Sequence, residues 1–269
     1  MASQQTAPAA DTTARLPLFY RDPQPLSAEL HADWRLKDGD ASFAADAPYV
    51  PIVASEFASA ARSYPIVFAA GDAQPIAILG LERRNLFLDD GRWASDHYVP
   101  AYVRRYPFGF IATTDPDGFR LAIDVGSERV GQSGTEGTPL FEDGKPSALT
   151  AQALEFCNAF GRDAAVTQLC SVALKEKDLL IDRRADATLP DGRTLGLDGF
   201  QIVDAQKLAA LDDETVVAWH RSGLLALIHH HLASLDRFQS LLNRQALHVA
   251  ADASADDKAA RPKTKKASA

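Results

Sequence analysis

Three consecutive histidines, His229, His230 and His231, are the residues of this chain that most invite a chemical reading, because imidazole is both the commonest metal ligand and the usual proton shuttle. Their spacing opposes a joint site. Adjacent side chains on a helix point about 100° apart, so a shared ion needs histidines at i and i+3 or i+4, and none of the three has such a partner. His220 lies ~16 Å back along a continuous helix, and Gly223 interrupts that path. No acidic residue stands four positions from any of the three. On a helical wheel, Leu224, Ile228, His231, Leu235, Phe238 and Leu242 form one stripe instead. His231 is thus read as a hydrogen-bonded core histidine with His229 and His230 on the flanks, and no metal site is expected. The stripe Leu224, Ile228, His231, Leu235 and Phe238 is also a possible homodimer seam.

The second chemically dense segment runs from Trp93 to Phe110, WASDHYVPAYVRRYPFGF, where Trp93, Tyr98, Tyr102 and Tyr106 interleave with His97, Arg104 and Arg105. Pro100 suits the first turn of a short helix that Tyr106-Pro107 would end. Two readings stand side by side. The arginines complement the carbonyl end of that helix while the aromatics seal a sheet. Alternatively, the guanidinium forks of Arg104 or Arg105 hold an anionic or aromatic ligand stacked on Trp93 or Tyr98. The glycine-rich run Gly126 to Gly137 resembles a phosphate cradle only superficially, because it matches neither dinucleotide nor P-loop spacing and no helix start follows it. It is expected to be a connection. No G-x-S-x-G, H-E-x-x-H or kinase signature occurs, so no catalytic constellation and no cofactor are indicated. Asp89-Asp90 and Asp115 with Asp117 sit in turn sequences, where carboxylates bond the backbone. Cys157 and Cys170 lack Cys-x-x-Cys spacing, and on one helix they would lie ~20 Å apart, too far to bridge. Both are read as buried thiols.

The elements that would position these residues are of two kinds, giving an α+β class with a mainly antiparallel sheet in the N-terminal half and a helical C-terminal half packed against it. Short β-like runs, Pro65 to Ala70, Pro75 to Leu81, Asn85 to Leu88 and Phe108 to Thr113, dominate the first half. Asp90-Gly91 and Asp117-Gly118 read as hairpin turns, as does Pro190-Asp191-Gly192 further on, followed by a strand at Phe200 to Val203. From Ser147, a plausible N-cap, the periodicity is helical to about Leu174, with Gly161 as a possible break. Asp212, Asp213 and Glu214 suit a helix start, and Ser222 a cap for a last helix reaching about Arg244. Residues 15–248 are expected to form one domain between solvated tails at 1–14 and 249–269.

A net charge of -8 and a pI near 5.3 disfavour a general nucleic-acid binder. The start MASQQTAPAADTTAR has neither a basic nor an apolar region of a secretory signal, and the most apolar run, Gly223 to Ile228, is far short of a membrane span. The expected location is the cytoplasm.

Asn85-Leu86-Phe87, Gly91-Arg92-Trp93, Tyr98-Val99-Pro100-Ala101 and Arg104-Arg105-Tyr106-Pro107-Phe108 together resemble the central signature of the SapC family. Tyr64-Pro65-Ile66-Val67-Phe68, Pro139-Leu140-Phe141 and Leu197-Asp198-Gly199-Phe200 with Val203-Asp204 and Lys207-Leu208 fit the same pattern, so the likeness spans about Leu16 to Arg244. The resemblance implies a bacterial surface-layer, export or TonB-dependent uptake setting and points to the Trp93 to Phe108 segment, without implying a reaction. Asn85, Trp93, Tyr98, Arg104, Arg105 and Tyr106 are accordingly the candidate ligand-binding residues. The expected function is an accessory protein with a protein partner in such machinery; the alternative is a small-molecule binding protein or enzyme with an aromatic and arginine pocket.

Overall fold

The computed structural model describes residues 16–112, 118–188 and 192–260. Its class is α+β. The main sheet has five antiparallel strands in the order Leu180–Thr188, Thr194–Val203, Ile66–Ala69, Pro75–Ile78, Tyr49–Pro51. Two of these come from the C-terminal half, so the sheet is not confined to the first half of the chain. A second sheet places Phe119–Asp124 between Pro23–Pro25 and Phe108–Ala112, and a small third one places Arg35–Leu36 between Val130–Gly131 and Thr138–Pro139.

Turn chemistry accounts for much of this layout. Asp90 and Gly91 both take positive φ and fold Leu88–Asp89 onto Arg92–Trp93, the Asp-Gly hairpin that the sequence predicts. Phe108–Ala112 and Phe119–Asp124 pair as expected, as do the strands around Gly192; Asp117, Pro190 and Asp191 lie outside the described residues. The expected strand from Asn85 is shorter, with only Leu88–Asp89 paired. Asn85 is buried, and its Oδ1 accepts from the Phe87 N–H at 2.9 Å while its Nδ2 donates to the Ala44 carbonyl at 3.3 Å. A side chain that bonds its own backbone two residues on competes with a strand ladder.

Ser147 caps the helix Ala148–Glu176, its hydroxyl accepting from the Thr150 N–H. Gly161 does not divide this helix; the ~1 kcal/mol cost of glycine is tolerated within so long an element. The apolar face of its first half, with Cys157 in the cluster of Phe108, Ile123 and Leu140, gives way to polar docking in the second. Thr167 accepts from the Ala54 N–H at 2.8 Å, Ser171 donates to the Ala73 carbonyl and Lys175 to the Gly71 carbonyl, both at 2.7 Å. These positions recur every four residues, so one face of the helix is tied to the loops bordering the main sheet.

The C-terminal helices depart from the single rod expected. Ser222 closes the helix Asp213–Ser222 rather than capping the next, because Gly223 takes the left-handed conformation between it and Leu224–Ser234. The stripe then breaks after Leu235, and a further helix runs over Arg237–Ala260, past Arg244, through an alanine-rich sequence of high helix propensity. Leu224, Ile228 and His231 are buried within the chain, and Leu235 and Phe238 pack on the core beside the main sheet. All five residues of the stripe thus pack within the chain's own core.

His231 shows why. Its Nδ1–H donates to the Ile66 carbonyl at 2.8 Å, and its Nε2 accepts from the Val203 N–H at 3.1 Å. Ser234, one turn on, accepts from the Ile66 N–H at 2.9 Å. Strands Ile66–Ala69 and Thr194–Val203 pair directly only at Phe200 with Ala69 and Gln201 with Phe68. Where they part, the imidazole bridges them and satisfies backbone groups that burial would otherwise leave orphaned.

Candidate functional site

Loop 38–43 is the wall around which the surface hollows are arranged. It is held by the hairpin turn: the Ala41 N–H donates to the Gly91 carbonyl at 2.8 Å, and the Ser42 N–H donates to the Asp40 carboxylate at 2.9 Å. A Cβ on Gly91 would overlap the Asp40 carboxylate and the Ser42 hydroxyl, so glycine is required there by close approach as well as by φ. The Ser42 N–H and hydroxyl hold the Asp40 carboxyl below its ordinary pKa, with a smaller contribution from Arg129.

On one side of this loop lies a cavity of about 360 Å³ bounded by Arg21, Asp38, Phe43, Tyr106, Ser127 and Arg129. The stems of its two arginines rest on glycines: a Cβ on Gly126 would come within 2.7 Å of the Arg21 Cβ, and one on Gly39 within 2.8 Å of the Arg129 stem. Tyr106 is buried, stacked on Phe43 with ring centroids 4.2 Å apart, and its hydroxyl donates to Asp124 at 2.8 Å. Burial, reinforced by that carboxylate, pushes the phenol up to about 12. Asp124 is fully buried and also accepts the N–H groups of Arg21 at 3.1 Å and Asp22 at 2.7 Å, which fixes the segment carrying Arg21.

On the other side a broader groove of about 760 Å³ shares Asp38, Gly39, Asp40, Phe43 and Arg129 and extends to Arg92, Trp93, Val99 and Arg104. The Trp93 indole N–H donates to the Tyr64 hydroxyl at 2.8 Å, and that hydroxyl donates in turn to the Tyr98 carbonyl. Arg104 donates through Nε to the Val99 carbonyl at 3.0 Å and through a terminal nitrogen to the Tyr98 hydroxyl at 2.9 Å. Tyr98 donates to the buried carboxylate of Glu56 at 3.0 Å. Burial and then Glu56 push the Tyr98 phenol up to about 12, so it remains a neutral donor at physiological pH.

The six candidate residues therefore separate. Trp93 and Arg104 face the broad groove, and Tyr106 bounds the adjoining cavity. Tyr98 stands behind Arg104 as its support. Asn85 is a buried turn residue that also borders a third hollow of about 330 Å³. Arg105 turns away, its guanidinium lying 4.2 Å from the Tyr102 ring centroid and 4.4 Å from that of Phe160. Arg21, Asp38, Phe43 and Arg129, which sequence reasoning passed over, join the set. The start of the glycine-rich run, Gly126 to Arg129, is a wall of the smaller cavity, and Val130–Gly131 then pairs with Arg35–Leu36.

Among the described residues, no cluster of three or more His, Cys, Asp or Glu is arranged to hold a metal ion, and no helix is long and apolar enough to cross a membrane. Neither cysteine lines the cavity or the groove, and burial raises both thiol pKa values, that of Cys157 to about 11.

Neither a search of curated proteins nor one of solved structures finds a match to this chain. The family model described as SapC matches residues 26–241, most of the sequence and every residue that lines the cavity or the groove except Arg21. The chain belongs to the SapC family.

Proposed function

We propose that the protein is a non-catalytic binding protein whose ligand site is the groove between loop 38–43 and the Trp93–Arg104 segment. We further propose that it serves the surface-layer, export or uptake setting that the family resemblance implies, from the cytoplasm. The observation that carries the binding reading is the convergence of an aromatic face, Trp93, and a supported guanidinium, Arg104, on one hollow with the glycine-seated Arg129. A concave site with a few oriented polar groups is the general form of a small-molecule site.

A thermal-shift screen against a metabolite library tests it. A ligand at a hundred times its dissociation constant adds ~2.7 kcal/mol of stability. A hit whose stabilisation disappears in R92A and D38A, both exposed positions, supports the groove; a blank screen, or hits indifferent to both substitutions, opposes it.

A docked protein partner is the second reading, favoured by exposed Leu154, Val166, Leu169 and Val172 on the helix Ala148–Glu176. Crosslinking in the native host, with a partner captured by the wild type and lost in L169E, supports that reading. Capture unaffected by L169E argues against it.

A further inference from the structure

We infer that the groove takes a neutral, polyhydroxylated chain, an oligosaccharide, lying from the Tyr106 cavity to the Trp93 face; this inference rests on the binding reading above. Charge balance is the first reason. Arg21, Arg92, Arg104 and Arg129 line the two hollows, and so do Asp38, Asp40, Asp90 and Glu128. Four cations facing four carboxylates leave no net field to draw in an anion, which revises the anionic ligand expected from the arginines alone.

The state of those groups is the second reason. Among the described residues, the exposed carboxylates of Asp38 and Glu128 and the exposed guanidinium groups of Arg21 and Arg92 have no hydrogen-bond or ion-pair partner within the protein, so a ligand there replaces only water. A carboxylate offers only acceptors and a guanidinium only donors, each as a planar fork. Vicinal hydroxyls, each both donor and acceptor, satisfy forks of either kind, whereas a carboxylate ligand satisfies only the arginines and an amine only the acids.

The third reason is the placement of the aromatic rings. Phe43, backed by Tyr106, lines both hollows, and Trp93 lines only the broader one. The Trp93 indole N–H is already taken by Tyr64, so what the half-buried ring, packed on the core, offers the groove is apolar. Apolar C–H faces of pyranose rings stack on such surfaces while their hydroxyls point to the rims. The hollows, about 360 and about 760 Å³, lie on either side of loop 38–43, which lines both, so a chain that crosses this loop has room for more than one ring.

Calorimetric titration of the full chain with linear neutral hexasaccharides of the β-1,4-glucose, β-1,4-N-acetylglucosamine and α-1,4-glucose series tests this. Phenylacetate and a zwitterionic dipeptide serve as competing chemistries, all at about 50 and about 500 mM salt. The expected result is saturable binding of at least one hexasaccharide, with an affinity that changes less than about twofold with salt because no net charge is neutralised. D38A and R92A should each weaken it by about tenfold with unchanged melting temperature, and W93F should weaken it while keeping an aromatic core. Binding of phenylacetate or the dipeptide alone, weakened by salt and by D38A or R92A, overturns the oligosaccharide assignment and leaves the groove as the site. Hexasaccharide binding indifferent to all three substitutions, or no binding of any hexasaccharide, also overturns it.

Discussion

The Tyr98 hydroxyl donates to the buried Glu56 carboxylate at 3.0 Å while accepting from Arg104 at 2.9 Å, so a carboxylate behind the groove wall orients a guanidinium facing the groove. Glu56 is 3% exposed, and the N–H groups of Ala101 at 2.6 Å and Val53 at 3.0 Å also donate to it. Removing the phenol leaves the carboxylate with one donor fewer and frees Arg104. Y98F is expected to cost ~1–3 kcal/mol in urea unfolding and to weaken any groove ligand. E56A leaves several buried donors unpaired and should cost more than Y98F. Equal stability of wild type and Y98F would remove Tyr98 from this supporting role.

His231 gives the fold a pH dependence of defined sign. Burial lowers its folded-state pKa to about 4 from an unfolded value near 6.5, because protonation would desolvate a charge and expel the Val203 N–H bond. Above pH 6.5 neither state binds the proton and the full stability is present. As pH falls from about 6.5 to about 4 only the unfolded chain takes up the proton, and up to ~3 kcal/mol is lost. Burial also lowers the pKa of His31 and His97, and both act in the same direction. Denaturant unfolding at several pH values should show this decline, reduced in H231Q, whose amide still offers a donor and an acceptor. A slope unchanged by H231Q would place the linkage elsewhere.

Gly91 joins the hairpin turn to loop 38–43 at van der Waals contact with Asp40. G91A introduces both a strained positive φ and an overlap with the Asp40 carboxylate. It should destabilise by ~1–3 kcal/mol and lower ligand affinity through displacement of the shared wall. Calorimetric melting and ligand titration together distinguish this from a harmless surface change.

Cys157 and Cys170 should resist alkylation near neutral pH in the folded protein, since burial holds both thiols protonated, and should react readily in denaturant. Mass spectrometry after iodoacetamide treatment provides the check. Rapid labelling of native Cys157 would contradict its burial against Phe108 and Ile123.

Local chemistry made much of the fold legible in the sequence. The Asp90-Gly91 turn, the Ser147 cap, the Asp212 helix start and the core position of His231 follow from short-range rules of φ, capping and helical spacing, and each is present. Gly161 and Ser222 misled because a glycine or a serine signals a boundary only when tertiary contacts leave the choice to local preference. In the groove, Trp93 and Arg104 were readable from the density of aromatic and cationic residues. Arg21, Asp38, Phe43 and Arg129 were not, because they come from separate loops brought together by the pairing of Arg35–Leu36 with Val130–Gly131 and by Asp124 binding the Arg21 and Asp22 N–H groups. Arg105 shows the converse: adjacent to Arg104 in sequence, it points to the opposite side of a helix end, where Tyr102 and Phe160 enclose it.

The assignment of the groove is tested most directly by the amide and indole spectrum of the isotopically labelled protein during titration with a ligand that stabilises it. Three tryptophans give three indole signals, and only Trp93 faces the groove. The expected result is movement of the Trp93 indole and of the Gly39 and Ser127 amides, with Trp34 and Trp219 unmoved and the response lost in D38A. Stabilisation by a ligand that shifts Trp219 or the helix Ala148–Glu176 and leaves Trp93, Gly39 and Ser127 in place would contradict it.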